Sequence, residues 1–117
     1  MIKNRTVKDQ LNRRFETMPE QKQFTKLIQR LQQEMPDISE RYRVNSLGVF
    51  GSYVRQEQQA DSDLDLLVTF HDPPSLLKFI ELENYLSDLL GIKVDLVMQS
   101  ALKPRIGERI LSQVVPL

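Results

Sequence analysis

The chain has 117 residues, 27% of them charged and 40% hydrophobic, and its sixteen basic side chains balance its sixteen acidic ones. A length of this order builds one domain around one core. There are no cysteines, which excludes disulfides and thiolate metal centres, and no apolar run approaches the roughly 20 residues of a membrane span.

Residues 1–18 are polar and weakly patterned and are expected to form an arm or helix ahead of a domain over 19–117. Met1, Ile2, Lys3 and Asn4 lack the apolar run of a secretory leader, and with no cysteine the expectation is a cytoplasmic protein. Pro19 suits a first helical turn. Phe24, Leu27, Ile28, Leu31 and Met35 then form one apolar stripe, which predicts an amphipathic helix ending near Pro36. Val44 to Phe50 reads as a strand stopped by Gly51, residues 52–62 as a polar connection, and Leu64 to Phe70 as a second strand. With no crossover helix between them, these two strands are expected to pair antiparallel. Asp72, Pro73, Pro74 and Ser75 announce a helix whose apolar positions run from Leu76 to Leu90 and whose end is Gly91. Lys93 to Met98 is a third strand, and Arg105 to Val114, preceded by Pro104, a last helix. The order predicts an α/β (α+β) fold, a small mixed sheet covered by helices.

Charge is distributed unevenly. Residues 1–30 hold eight basic and three acidic side chains, residues 31–90 four and eleven, and residues 91–117 four and two. The basic first third reads as a solvated helix face. The acidic middle is more telling, since carboxylates gathered near one loop invite a cation.

That middle contains Gly51-Ser52, then ten residues, then Asp63-Leu64-Asp65. Alternate residues of a strand share a face, so Asp63 and Asp65 project together while Leu64 and Leu66 face the core. Paired ionised carboxylates repel, and a hard divalent cation such as Mg²⁺ relieves the conflict. A glycine at a strand end admits close approach of a ligand. The amides of Gly51, Ser52 and Tyr53, with the Ser52 hydroxyl, form a nest suited to phosphate. Asp95, alone among Val94, Leu96 and Val97, completes a carboxylate triad if the third strand lies beside the second. Phosphate next to metal-binding aspartates is the arrangement phosphoryl transfer requires. Arg55 is placed either to neutralise phosphate or to pair with Glu57 or Asp61.

Gly51-Ser52-Tyr53-Val54-Arg55, then Asp61 to Val68, then Val94 to Val97, resembles the nucleotidyltransferase signature of the DNA polymerase β superfamily. More closely, with the tail from Ala101 to Ile106 and on through Arg109-Ile110, it resembles the minimal nucleotidyltransferase antitoxins over roughly residues 20–117. The resemblance implies a nucleotidyltransferase fold in which Asp63, Asp65 and Asp95 are catalytic and hold two Mg²⁺ ions. Gly51 and Ser52 would hold the triphosphate of ATP, with Arg55 beside them. It implies a partner as well, a HEPN-domain toxin, neutralised by transfer of AMP to one of its tyrosines or by binding alone. Neither a membrane nor a nucleic acid is expected as a partner. The sequence departs from many relatives at Gln56, where they have glycine; a positive-φ turn there costs Gln about 1 kcal/mol.

Competing readings fail on spacing. Asp61 begins an EF-hand-like run, but Leu66 and Asp72 stand where that loop needs Gly and Glu. Gly48 and Gly51 lack the third glycine and long helix of a dinucleotide fingerprint. His71, the single histidine, reads as a surface or turn residue, and Tyr53 as a packing or rim residue.

Overall fold

In the computed structural model, residues 19–59 and 61–117 are described, with side chains from residue 22 onward. The expected arm over residues 1–18 lies outside the described residues. A long helix α1 (Pro19–Tyr42) leads into strand β1 (Val44–Phe50), a turn, and strand β2 (Leu64–Phe70). Helix α2 (Leu76–Leu90), strand β3 (Val94–Met98), a single 3₁₀ turn (Gln99–Ala101), helix α3 (Pro104–Gln113) and strand β4 (Val115–Pro116) follow. The sheet order is β3-β2-β1-β4. β1 pairs antiparallel with β2 and with β4, while β2 and β3 run parallel. This is the mixed α+β layer the element order predicts.

The core lies between the sheet and the first two helices. Leu64, Leu66 and Val68 of β2 are fully buried, as are Val44 and Val49 of β1 and Leu82 and Leu86 of α2. Phe24, Ile28, Leu31 and Ile38 supply the α1 side of that core. The alternation on β2 leaves Asp65 on the opposite face of the sheet from the buried leucines, and that face carries the site described below.

α1 continues six residues past the expected stop at Pro36. A proline inside a helix loses one backbone bond and costs ~3 kcal/mol. Full burial of Ile38 offsets about 1.5–3 kcal/mol of this. The added turn also sets Tyr42 against Tyr85, with ring centroids 5.8 Å apart, and Arg41 over the Tyr85 ring at 5.0 Å. The helix ends on Arg43, whose φ is 59° and whose guanidinium pairs with Asp72 at 2.7 Å.

α2 has the expected ends. The Ser75 hydroxyl accepts from the Lys78 amide at 3.1 Å, and Gly91, with φ 72°, donates to the Ser87 carbonyl. β3 is an edge strand, and its outward amides are covered by α2. Val94 N–H donates to Ser87 Oγ at 3.0 Å, and Leu96 N–H to a Glu83 carboxylate oxygen at 2.9 Å. An edge sealed in this way offers no template for another strand, and it holds the strand that carries Asp95.

β4 has no counterpart among the expected elements. It is two residues long, includes a proline, and sits at the sheet edge where proline is tolerated. It crosses Gly48 so closely that a Cβ there would meet Val114 Cγ2 at 2.5 Å.

Candidate active site

The turn after β1 is built on Gly51. Its φ is 81°, a left-handed conformation that L side chains rarely adopt. Val54 and Arg55 N–H both donate to the Gly51 carbonyl at 3.1 Å, and Glu57 N–H to the Ser52 carbonyl at 2.9 Å. These bonds occupy carbonyls. Among the described residues the Ser52 and Tyr53 amides have no hydrogen-bond acceptor, so they remain available to an anion. Tyr53 itself is 5% exposed and packs on Phe24 at 5.5 Å between centroids, a core residue as its sequence context indicates.

Sheet register brings the turn and two of the carboxylates together. Phe50 pairs with Asp65 across β1 and β2, and Asp65 with Asp95 across β2 and β3. Gly51 lies directly against Asp65: a Cβ built on it would collide with Asp65 Oδ2 and sit 3.0 Å from Cγ. Asp63 stands one residue before β2, half-exposed, with Lys93 Nζ 3.8 Å from its carboxylate. Lys93 is largely exposed, so this pair is weak. Asp95 is exposed.

Burial raises the Asp65 carboxyl to about 6; the charges of Asp95 and Asp63 and a hydrogen bond with Asp95 add to the effect, and Arg55 partly opposes it. The tension comes from negative charge confined beside Gly51, and a cation would relieve it. Among the described residues no three acidic or histidine side chains converge into a finished metal cage. Mg²⁺ does not need one, because it is commonly held by one or two carboxylates together with substrate phosphates and water. Asp65 and Asp95 fit that role, with Asp63 next to them.

Arg55 bonds Glu57 at 3.0 Å, so one of the two expected pairings is made. It also faces the site, in a cleft of about 320 Å³ shared with Gly51 and Asp65. The far wall of the cleft is α3, through Ile106, Arg109, Ile110 and Gln113. Their i, i+3, i+4, i+7 spacing marks one helical face. Sequence reasoning places a helix there but not its orientation toward Gly51, which depends on the path of β4. His71 is exposed in the turn after β2, away from these groups.

Gln56 has φ 60°, the left-handed geometry that glycine meets without strain. Gln56→Gly should therefore stabilise the protein or leave it level, within about 1 kcal/mol, since relief of strain is set against the greater freedom of the unfolded chain. Denaturant titration checks this; a loss above about 1 kcal/mol would mean that the Gln side chain supports the turn.

A glycine turn set against Asp65, paired with Asp95 across a mixed sheet, is the arrangement expected of a nucleotidyltransferase. The chain belongs to the nucleotidyltransferase domain family, whose model matches residues 20–115. It is 58% identical over 79 residues to the protein adenylyltransferase MntA of Thermococcus cleftensis, covering 68% of this chain and 80% of that one. A solved structure of a minimal nucleotidyltransferase superposes with a TM-score of 0.66 at 34% identity, over 87% of this chain and 99% of the other. A mutant form of the toxin–antitoxin MntA–HpeT gives a TM-score of 0.58 at 26% identity, over 80% of this chain and 70% of that chain.

Proposed function

We propose that the protein is the antitoxin of a HEPN/MNT pair and transfers AMP from ATP to a tyrosine hydroxyl of its HEPN-domain toxin. The observation that supports this reading most is the close approach of Gly51 to Asp65, the strand partner of Asp95. The 58% identity to a protein adenylyltransferase supports the reaction type, and the likeness to a toxin–antitoxin structure supports the partner.

In this reading the amides of Ser52 and Tyr53 and the Ser52 hydroxyl hold the triphosphate, and Arg55 offsets its charge. Asp63, Asp65 and Asp95 would hold two Mg²⁺ ions, which when bound would supply positive charge for the phosphates and lower the barrier to ionising the attacking hydroxyl. The hydroxyl oxygen attacks the α-phosphorus in line, the bond to the β-phosphate oxygen breaks, and pyrophosphate leaves. Asp95, the most exposed of the three carboxylates, accepts the hydroxyl proton. A tyrosine hydroxyl has an ordinary pKa of about 10 and needs that help near neutral pH. The AMP left on the toxin adds bulk and a charged phosphodiester at the modified residue, enough to spoil a nuclease site.

The test uses ATP labelled at either the α- or the γ-phosphate, with Mg²⁺ and the co-purified partner. Label retained on the partner from the α position alone is the expected result. Label from the γ position would indicate a kinase, and no label with full neutralisation of the partner would indicate an antitoxin acting by binding.

A further inference from the structure

α3 leaves the face that lines the cleft uncovered. Ile106 is 52% exposed, Arg109 and Gln113 are exposed, and Gly107 is the helix's buried residue. Such a face at the rim of a cleft is suited to contact with a bound ligand.

Arg109 differs from the other arginine of the cleft. Arg55 is held by Glu57, whereas among the described residues the Arg109 guanidinium has neither a carboxylate nor a hydrogen-bond partner; the side-chain bond that Ser112 Oγ makes to Arg109 goes to its backbone carbonyl. The two arginines line, with Gly51 and Asp65, one space of about 320 Å³. A planar, permanently charged fork with no internal partner, on a residue that lines the same cleft as Gly51, matches phosphate oxygens.

We infer that Arg109 is a phosphate-binding residue of this site, closing the cleft from α3 over the β- and γ-phosphates of the bound nucleoside triphosphate. The inference rests on the nucleotidyltransferase reading above. A cation held by Asp65 and Asp95 would bring the reacting α-phosphate to Asp65, and the remaining phosphates would then extend into the space between Gly51 and α3. The pyrophosphate that leaves carries more negative charge than the ester it leaves behind. Arg109 therefore favours ATP over AMP, and it stabilises the leaving group as the bond to the α-phosphate breaks.

The test is calorimetric binding of ATP, AMP and inorganic pyrophosphate, each with Mg²⁺, to wild type, Arg109→Ala and Arg109→Lys, together with binding of the partner protein. Arg109 is exposed, so neither variant threatens the fold. Arg109→Ala is expected to weaken ATP and pyrophosphate by about tenfold to a hundredfold, the cost of a lost bond between charged groups, with AMP changed by less than about threefold. Arg109→Lys should recover part of the loss, since the charge stays and the fork is lost. Equal ATP affinity in wild type and Arg109→Ala would overturn the assignment while leaving the nucleotidyltransferase reading intact. So would an equal loss for ATP and AMP, or loss of the partner with ATP binding unchanged; the last would place Arg109 at a protein contact. A wild type that binds neither ATP nor pyrophosphate would overturn both.

Discussion

Asp65→Asn should reduce AMP transfer by about a thousandfold or more while making the ligand-free protein more stable at pH 7 to 8. The two effects have one cause. The Asp65 carboxyl, ordinarily near 3.8, is pushed up to about 6 by burial and by the charges of Asp95 and Asp63. A carboxyl raised on folding contributes stability that is fully present below its unfolded pKa and is lost as pH rises through its folded value. Ligand-free wild type should therefore lose stability between about pH 4 and pH 6. Asparagine carries no charge and removes that loss. The gain is about 1–2 kcal/mol once solvent screening of this partly exposed group is allowed for. In the proposed reaction the same ionised carboxylate would hold the cation that the triphosphate needs, so its removal should cost the reaction far more than loss of one neutral donor. In wild type, Mg²⁺-dependent ATP binding should weaken as pH falls below about 6. Thermal melts across pH, alongside a transfer assay, check the pair of effects. An Asp65→Asn protein less stable than wild type at pH 7 to 8 would show that the carboxylate holds the fold together instead of straining it.

Gly51→Val should abolish nucleotide binding and cost about 2–4 kcal/mol of stability. One part is backbone strain, because φ at Gly51 is 81° and a β-branched residue resists that region. The other is collision, since the new Cβ would occupy the place of Asp65 Oδ2 and drive the carboxylate from its position. Gly91→Ala is the matched control. Its φ is 72°, but a Cβ there meets no atom within 4 Å. It should show strain alone, about 1 kcal/mol, with ATP affinity unchanged. Calorimetric titration of ATP and denaturant unfolding separate the two terms. Equal ATP binding by Gly51→Val and wild type would place the phosphates elsewhere.

The residues that make the sheet were legible because their signals are local. Alternation on Leu64 to Phe70, a Ser75 cap and a C-terminal Gly91 each depend on near neighbours alone. The pairing of Asp65 with Asp95 was reachable as well, once two short strands were placed side by side. Three features were hidden because their causes are distant in the chain. α1 runs through Pro36 because Ile38 and Tyr42 meet partners contributed by later elements. β4 exists because Gly48 leaves room for it, and a two-residue strand has no periodicity to read. Arg109 lines the cleft beside Gly51 and Asp65, residues far from it in the chain; the sequence offers the stripe Ile106, Arg109, Ile110, Gln113 but not what the stripe faces.

The most direct measurement is the intact mass of the HEPN-domain partner after co-expression with wild type and with Asp65→Asn. The account predicts a partner heavier by whole adenylyl groups with wild type, mapped by fragmentation to tyrosine, and an unmodified partner with Asp65→Asn. A partner of unchanged mass that wild type nonetheless neutralises would contradict it.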